Sequence, residues 1–382
     1  MPTVEHAPNG SLATILAKNA FLNLVSLSFY RFWARTNLRR YFWSSVRIGG
    51  EPLEYTGQAR ELFIGFLIVA AILTPLAIVW SVVDLALEGY ETARVIGQIT
   101  YLFALYLLWQ AAGFRARRYR LTRTLWRGIR AGQDGRMATY LWLSVSWGLV
   151  TLATFGLAMP ATRQALQRYR IENTRLGNTY CTFDAPLWPL MRTWLVLYLS
   201  PVAIALMIAV AAIVAAGMMR LGGAGEIVLI LPVLMPILAA AVAPFAWVIY
   251  RVREFRYFAE HTRLGPLAIR SQLRAAPIFG RLALFLCAFL IPVAGASILA
   301  AYVFGRFSEP DSPIAAAIAA FLTSFLLGEA LWTGIVTGSV LRQVCRTTDI
   351  SGLESSDQIL QSDVQPPVYG EGLADGFDFG SI

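Results

Sequence analysis

The chain has 382 residues, of which 57% are hydrophobic and 14% charged, and carries a net charge of +9. Soluble domains carry about a quarter charged residues, so this composition excludes an ordinary water-soluble globular protein and asks for a bilayer around much of the surface. The basic balance fits either a nucleic-acid binder or a membrane protein with basic cytoplasmic loops.

Residues 1–10, MPTVEHAPNG, lack a basic n-region and read as an N-terminal tail rather than a cleavable signal peptide. Segment A, 11–29, is apolar but short, and holds Lys18, Asn19 and Asn23. It runs into YRFWARTNLRRYFWSS, Tyr30 to Ser45, with six aromatic and four arginine side chains in sixteen residues. Such a stretch reads as a base-stacking surface, or as a collar with Trp33, Tyr41, Phe42 and Trp43 at headgroup depth while arginines snorkel.

Runs of about 20 apolar residues are candidate spanning helices. They are segments B (61–84), C (93–113), E (193–218), F (226–250), G (281–305) and H (313–341). Segment D, 138–160, is long enough to cross but ends in LATFGLAMP, with Gly156 and Pro160 as breakers.

Of the 32 basic residues, 28 fall in the A–B, C–D, D–E and F–G connections and after H. Only Arg94, Arg220 and Arg306 fall in B–C, E–F and G–H, and Lys18 lies in segment A. Arginine-rich connections stay in the cytoplasm, so B–C, E–F and G–H are hairpins whose tight turns face outward. Arginines flank segment D on both sides, which argues for a re-entrant or in-plane pair bent near Gly156, with segment A behaving alike.

A motif recurs on the basic connections. RYFWSSVRIGG (Arg40–Gly50), RYRIENTRLGN (Arg168–Asn178) and RYFAEHTRLGP (Arg256–Pro266) share R-Y-x4-[VT]-R-[IL]-G; RYRLTRTLWRG (Arg118–Gly128) is a degenerate copy and VCRTTDISG (Val344–Gly352) a faint one. Arg40, Arg118, Arg168 and Arg256, each followed by its tyrosine (Tyr41, Tyr119, Tyr169, Tyr257), close a helix, and Gly49, Gly177 and Gly265 end an extended piece in a turn. Beyond the turn, Leu53 and Tyr55 alternate with Glu54, and Cys181 and Phe183 with Thr182, which predicts short strands that could pair into a small cytoplasmic sheet. The 128-residue spacing of Tyr41 and Tyr169 suggests tandem units at 11–137 and 138–280. A third hairpin follows at 281–348, then a disordered tail at 349–382 with seven acids and no base.

The run SFYRFWARTNLRRYFWSSVRIGGEPLEYTG and its second copy LATFGLAMPATRQALQRYRIENTRLGNTYCTF resemble the YjgN-like family of multi-pass bacterial inner-membrane proteins over roughly residues 11–350. The resemblance implies location and architecture. That family has no assigned function, so no catalytic or ligand residue carries over.

The expected fold is an all-α polytopic protein of three transmembrane hairpins. It has six crossings, with a seventh or eighth left open, re-entrant or interfacial pieces, short cytoplasmic β-hairpins and both termini inside. Glu329 is the one charged residue in the interior of the six spans, away from their ends. A carboxylate there faces the bundle or water and is either a coupling group or a packing carboxyl, with Gln110 a candidate partner. Pro232, Pro236 and Pro244 in F, and GxxxG at Gly334 and Gly338 in H, point to a pathway or to close helix contact.

Three scattered cysteines and two histidines give no metal set, and hydrolase, metalloprotease and nucleotide-loop signatures are missing. No cofactor and no enzyme activity are expected. The expected partners are membrane lipids, a cytoplasmic protein and a second copy, with no nucleic acid. Function reads as transporter- or channel-like for a small solute, or alternatively as a scaffold using the arginine–aromatic collars.

Overall fold

The computed structural model describes residues 3–219, 225–304 and 314–361. Strands and helix pairs alternate along the chain. Strand β1 (Val4–His6) leads through α1 (Leu12–Val25) and α2 (Arg31–Ser45) to the hairpin β2 (Val46–Ile48) and β3 (Glu51–Tyr55). Next come α3 (Ala59–Ala86) and α4 (Glu91–Thr122), then β4 (Thr124–Trp126) and β5 (Ile129–Gln133). The third pair is α5 (Met137–Ala153) and α6 (Met159–Glu172), followed by β6 (Thr174–Leu176) and β7 (Thr179–Phe183). The fourth is α7 (Trp188–Met219) and α8 (Gly225–Glu260), followed by β8 (Thr262–Leu264) and β9 (Leu267–Ser271). The last excursion is α9 (Ala276–Phe304), α10 (Ile314–Leu331), a π-helical turn Trp332–Thr337 and α11 (Gly338–Thr347), which returns to β10 (Thr348–Ser351).

The all-α expectation fails on the strands. They form one antiparallel ten-stranded sheet in simple chain order, β1 to β10. Its ends nearly meet: the Ile350 amide donates to Thr3 Oγ1 at 2.6 Å. Each five-residue strand works twice. In β3, Glu51 and Pro52 pair back to β2, while Leu53, Glu54 and Tyr55 pair forward to Trp126, Leu125 and Thr124 of β4. The same division holds in β5 and β7. A lone hairpin is marginal in water; here each is completed by the next, whose sequence lies a helix pair away.

Turn chemistry fixes the register. Gly177 and Gly265 begin the β6–β7 and β8–β9 turns at φ +58° and +54°, which L side chains rarely adopt. Inward-pointing Ile48, Leu53, Trp126, Ile129, Leu176, Leu264, Leu267 and Ile350 form one apolar cluster inside the ring. Leu353 and Ile359, from a 3-10 turn (Leu353–Gln358) and the residues after it, complete that cluster. The chain then anchors across the ring. Asn178 N donates to Leu360 O at 3.0 Å, Leu360 N to Asn178 Oδ1 at 3.1 Å, and Arg130 N to Gln361 Oε1 at 2.8 Å. Residues 349–361 were expected to belong to a disordered tail. They form a strand and a docked plug instead, because the ring interior offers apolar surface to Leu353 and Ile359. Residues 220–224, 305–313 and 362–382 lie outside the described residues.

Among the described residues, three helices are long and apolar enough to cross a membrane: Ala59–Ala86, Glu91–Thr122 and Ala276–Val303. At about 1.5 Å per residue, 28 residues reach about 42 Å, beyond the ~30 Å of a hydrocarbon core. Their apolar side chains face outward; Val82 of α3 is 62% exposed and Ile298 of α9 70%. Cys287 is exposed on α9.

Segments A and D are instead halves of short helix pairs. A 14-residue α1 reaches only about 21 Å. Both pairs turn in the same way, 128 residues apart. Ser28 N donates to Asn23 O at 2.8 Å and Gly156 N to Thr151 O at 2.7 Å. A side-chain oxygen then receives the last amide, Ser26 Oγ from Tyr30 N and Thr154 Oγ1 from Ala158 N.

The GxxxG pair of segment H falls in the π-helical turn and at the start of α11, against α1. A Cβ on Gly334 would lie 3.2 Å from Leu16 Cδ1, and one on Gly338 3.3 Å from Leu12 Cδ2. We expect Gly334→Leu to cost about 1–3 kcal/mol, as overpacking does, by pushing α1 away. Thermal unfolding in detergent checks this, with Gly334→Ala, which needs only the tip of Leu16 to yield, losing much less.

Candidate functional site

The arginine–tyrosine motif holds the ring together. Tyr119 Oη donates to Glu61 Oε2 at 2.7 Å, Tyr169 Oη to Arg136 O at 2.8 Å, and Tyr257 Oη to Pro186 O. Each tyrosine thus clamps the loop or helix start that follows the preceding hairpin. Gln343 stands five residues before Thr348, as each of these tyrosines stands five before its threonine, and donates Nε2 to Arg274 O at 2.9 Å. The faint fifth copy therefore makes the same kind of clamp through another side chain.

Arg40 reaches Gly57 O at 3.1 Å, and Arg118 reaches Asp134 O at 2.7 Å and Gly135 O. Arg168 lies 6.0 Å from the Phe183 ring centroid, and Arg256 Nε is buried without a hydrogen-bond partner. Gly49 takes φ +60° in the β2–β3 turn. Tyr41 is buried in an apolar cluster with Leu38 and Phe42 that packs against Leu12, Leu16 and Leu341. Tyr41 and Phe42, expected at lipid headgroup depth, are thus core residues. Trp43 donates Nε1 to Thr124 Oγ1 at 2.8 Å, while Trp33 stays exposed.

Glu329 has different surroundings. It lines a cavity of about 490 Å³ between α1, α2, α9 and α10. From α1 come Asn19 and Asn23, from the turn Ser28, from α2 Arg31 and Arg35, from α9 Phe285 and Phe289, and from α10 Ser324. Trp332, on the π-helical turn three residues after Glu329, closes one side against Phe285, ring to ring at 5.2 Å and nearly perpendicular. The extra backbone in a π turn re-aims its side chains, and such turns concentrate at functional sites.

The charges in the cavity are mixed. Arg31 stacks 4.6 Å from the Phe66 centroid. Burial lowers its guanidinium below the ordinary range, and the Glu329 carboxylate opposes that shift. Asn19 is 5% exposed and donates Nδ2 to Ala34 O at 3.3 Å, which turns the amide so that its Oδ1 is left without a partner. Asn23 Oδ1 is buried and unpaired as well.

Gln110 is placed elsewhere. It accepts from Tyr140 Oη at 3.3 Å, in the contact of α4 with α5, and is not among the residues lining the Glu329 cavity. Pro244 is exposed on the continuous helix α8, and the side chains of Pro232 and Pro236 lie outside the described residues.

Sequence reasoning passed over Asn19, Asn23, Arg31 and Arg35 as site residues. The signal was present: each pair is spaced i, i+4, which puts both members on one helix face. A second cluster was also missed. Glu254 of α8, 1% exposed, receives Arg163 Nε on one oxygen and Arg251 Nη1 on the other. Both guanidinium groups lie within 6 Å of the Trp247 ring centroid. Among the described residues no group of His, Cys, Asp and Glu could hold a metal.

A family model described as "Bacterial protein of unknown function (DUF898)" matches residues 6–376. No curated protein and no solved structure matches the chain.

Proposed function

The chain belongs to the DUF898 family of bacterial proteins of unknown function, and from that premise we propose that it is a multi-pass protein of the bacterial inner membrane which handles a small solute in a transporter- or channel-like manner. The single observation that carries the solute reading is Glu329 in a cavity of about 490 Å³, a volume in the range of small-molecule sites. A carboxylate within an apolar helix pair is costly and is kept where water, a cation or a coupling role compensates it.

The topology follows from two independent features. Every helix excursion leaves the ten-stranded ring and returns to it, so each crosses an even number of times. The arginines gathered on the ring-side connections then support a cytoplasmic position for the ring and both termini. The long pairs α3–α4, α7–α8 and α9–α10 cross, while α1–α2 and α5–α6 enter part-way or lie in the interface. We place the protein among membrane lipids, with a cytoplasmic protein partner and self-association as further proposals and no enzymatic step.

The alternative scaffold reading uses the arginine–aromatic collars and the acidic tail. Arg40, Arg118, Arg123, Arg163 and Arg175 bond within the chain, which favours the solute reading.

Proteoliposome flux, with Glu329→Gln beside the unmodified protein, tests it. Substitution is expected to lower flux at least tenfold and to flatten its pH dependence. Unchanged flux removes Glu329 from the mechanism, and no flux for cations, anions or zwitterions overturns transport itself.

A further inference from the structure

Resting on the solute-binding reading above, we infer that the cavity takes a zwitterion, a primary ammonium and an acidic group held close together on an apolar body.

The lining combines acceptors with guanidinium donors. The Oδ1 atoms of Asn19 and Asn23 are buried acceptors without a donor. They sit one helical turn apart on α1, on the wall of the cavity that Glu329 also lines. An unpaired buried acceptor costs about 1–3 kcal/mol. An ammonium brings three donors and no acceptor, so its chemistry answers amide oxygens and a carboxylate, the acceptors of this lining. Arg31, close enough to Glu329 for the carboxylate to act on its charge, offers a guanidinium suited to a carboxylate or phosphate. Phe285 and Trp332 supply an apolar wall between α9 and α10.

Simpler ligands fit less well. A plain anion leaves both asparagine oxygens unpaired and meets Glu329 at like charge. A plain cation meets Arg31. A neutral apolar solute leaves every polar group unanswered. The asparagine orientation decides against a donor-seeking site: Asn19 Nδ2 is already engaged by Ala34 O at 3.3 Å, so the oxygen is the atom left over.

Two sources carry this chemistry, a free apolar amino acid and the headgroup of phosphatidylethanolamine. The test uses the full chain in phosphatidylcholine nanodiscs. L-phenylalanine is titrated calorimetrically against 3-phenylpropionate, which lacks the ammonium, and 2-phenylethylamine, which lacks the carboxylate. In parallel, nanodiscs of mixed phosphatidylethanolamine and phosphatidylcholine are extracted with detergent and retained lipid is counted by mass spectrometry.

Phenylalanine binding at least tenfold tighter than either analogue supports a soluble zwitterion, with Asn19→Leu and Glu329→Gln each weakening it while Glu329→Gln strengthens 3-phenylpropionate, whose carboxylate no longer meets a like charge. Selective retention of phosphatidylethanolamine, lost in Glu329→Gln, supports the lipid source. Equal binding of 3-phenylpropionate and phenylalanine overturns the zwitterion and leaves a small-solute site standing. Binding of neither phenylalanine nor phosphatidylethanolamine overturns the inference too, and the flux assay then decides the transport reading separately. The analogue series runs on the unmodified protein, so a variant that fails to fold does not blunt it.

Discussion

Replacing Glu254 by alanine is expected to cost about 3 kcal/mol and to be the most damaging single substitution in the helical layer. Its carboxylate is 1% exposed and is held between Arg163 of α6 and Arg251 of its own helix. Removing one member of a buried ion pair costs roughly 3–5 kcal/mol, because the partner charge is left uncompensated. The side chains of Arg163 and Arg251 remain 31% and 47% exposed, so water recovers part of that, and the lower end applies. The contact also ties the short α5–α6 pair to α8, so its loss should be local before it is global. Hydrogen exchange is expected to rise first in α6, and the denaturant midpoint to fall. Glu254→Gln, which keeps the shape and loses the charge, should fall between alanine and the unmodified chain. An alanine variant as stable as the parent would show the pair to be dispensable.

Deleting residues 353–382 is expected to have a still broader effect. It removes Leu353 and Ile359 from the ring interior and three backbone-linked hydrogen bonds to Arg130 and Asn178. Burying one aliphatic side chain is worth about 1.5–3 kcal/mol and each hydrogen bond about 1 kcal/mol or less. A loss of about 3–9 kcal/mol follows, with exposed apolar surface at the ring mouth and aggregation on extraction. Deleting only 362–382 should leave these contacts and the stability they supply in place, since among the described residues the last anchor is Gln361. Differential scanning fluorimetry of the two truncations separates them; equal melting temperatures would show that the plug contributes nothing. Gly177→Ala probes the same contact from the other side, because its Cβ would meet Leu360 O at 2.0 Å.

Which features were readable in the chain follows from how far apart their causes lie. Hydropathy sums over a 20-residue window, so α3, α4 and α9 are visible as runs of Leu, Ile, Val and Phe. Gly156 marks a turn by itself, because only a residue without a Cβ rests easily at φ +88°. The motif with Thr174, Arg175 and Leu176 announces a strand locally. Glu329 stands out as one carboxylate in an apolar stretch.

The ring does not announce itself, because its partners are remote. Leu53 pairs with Trp126 across a whole helix pair, and Thr3 meets Ile350 at the opposite end of the chain. Three- and five-residue strands carry too little pattern to specify a neighbour that far away. The tyrosines of the motif read equally well as membrane-interface anchors until the loops they clamp are in place.

The cavity has the same character. Asn19 and Asn23 share a helix face by spacing alone, and so do Arg31 and Arg35, but nothing local sets either pair beside Glu329, some three hundred residues on. That meeting depends on Gly334 and Gly338 letting α1 approach the π-helical turn and α11. Composition and charge order therefore determined where this chain seeks an apolar solvent and which connections avoid it. The closed sheet, the plug and the amphoteric cavity were decided only by tertiary packing, since each is a contact between side chains whose local sequences are indifferent to one another.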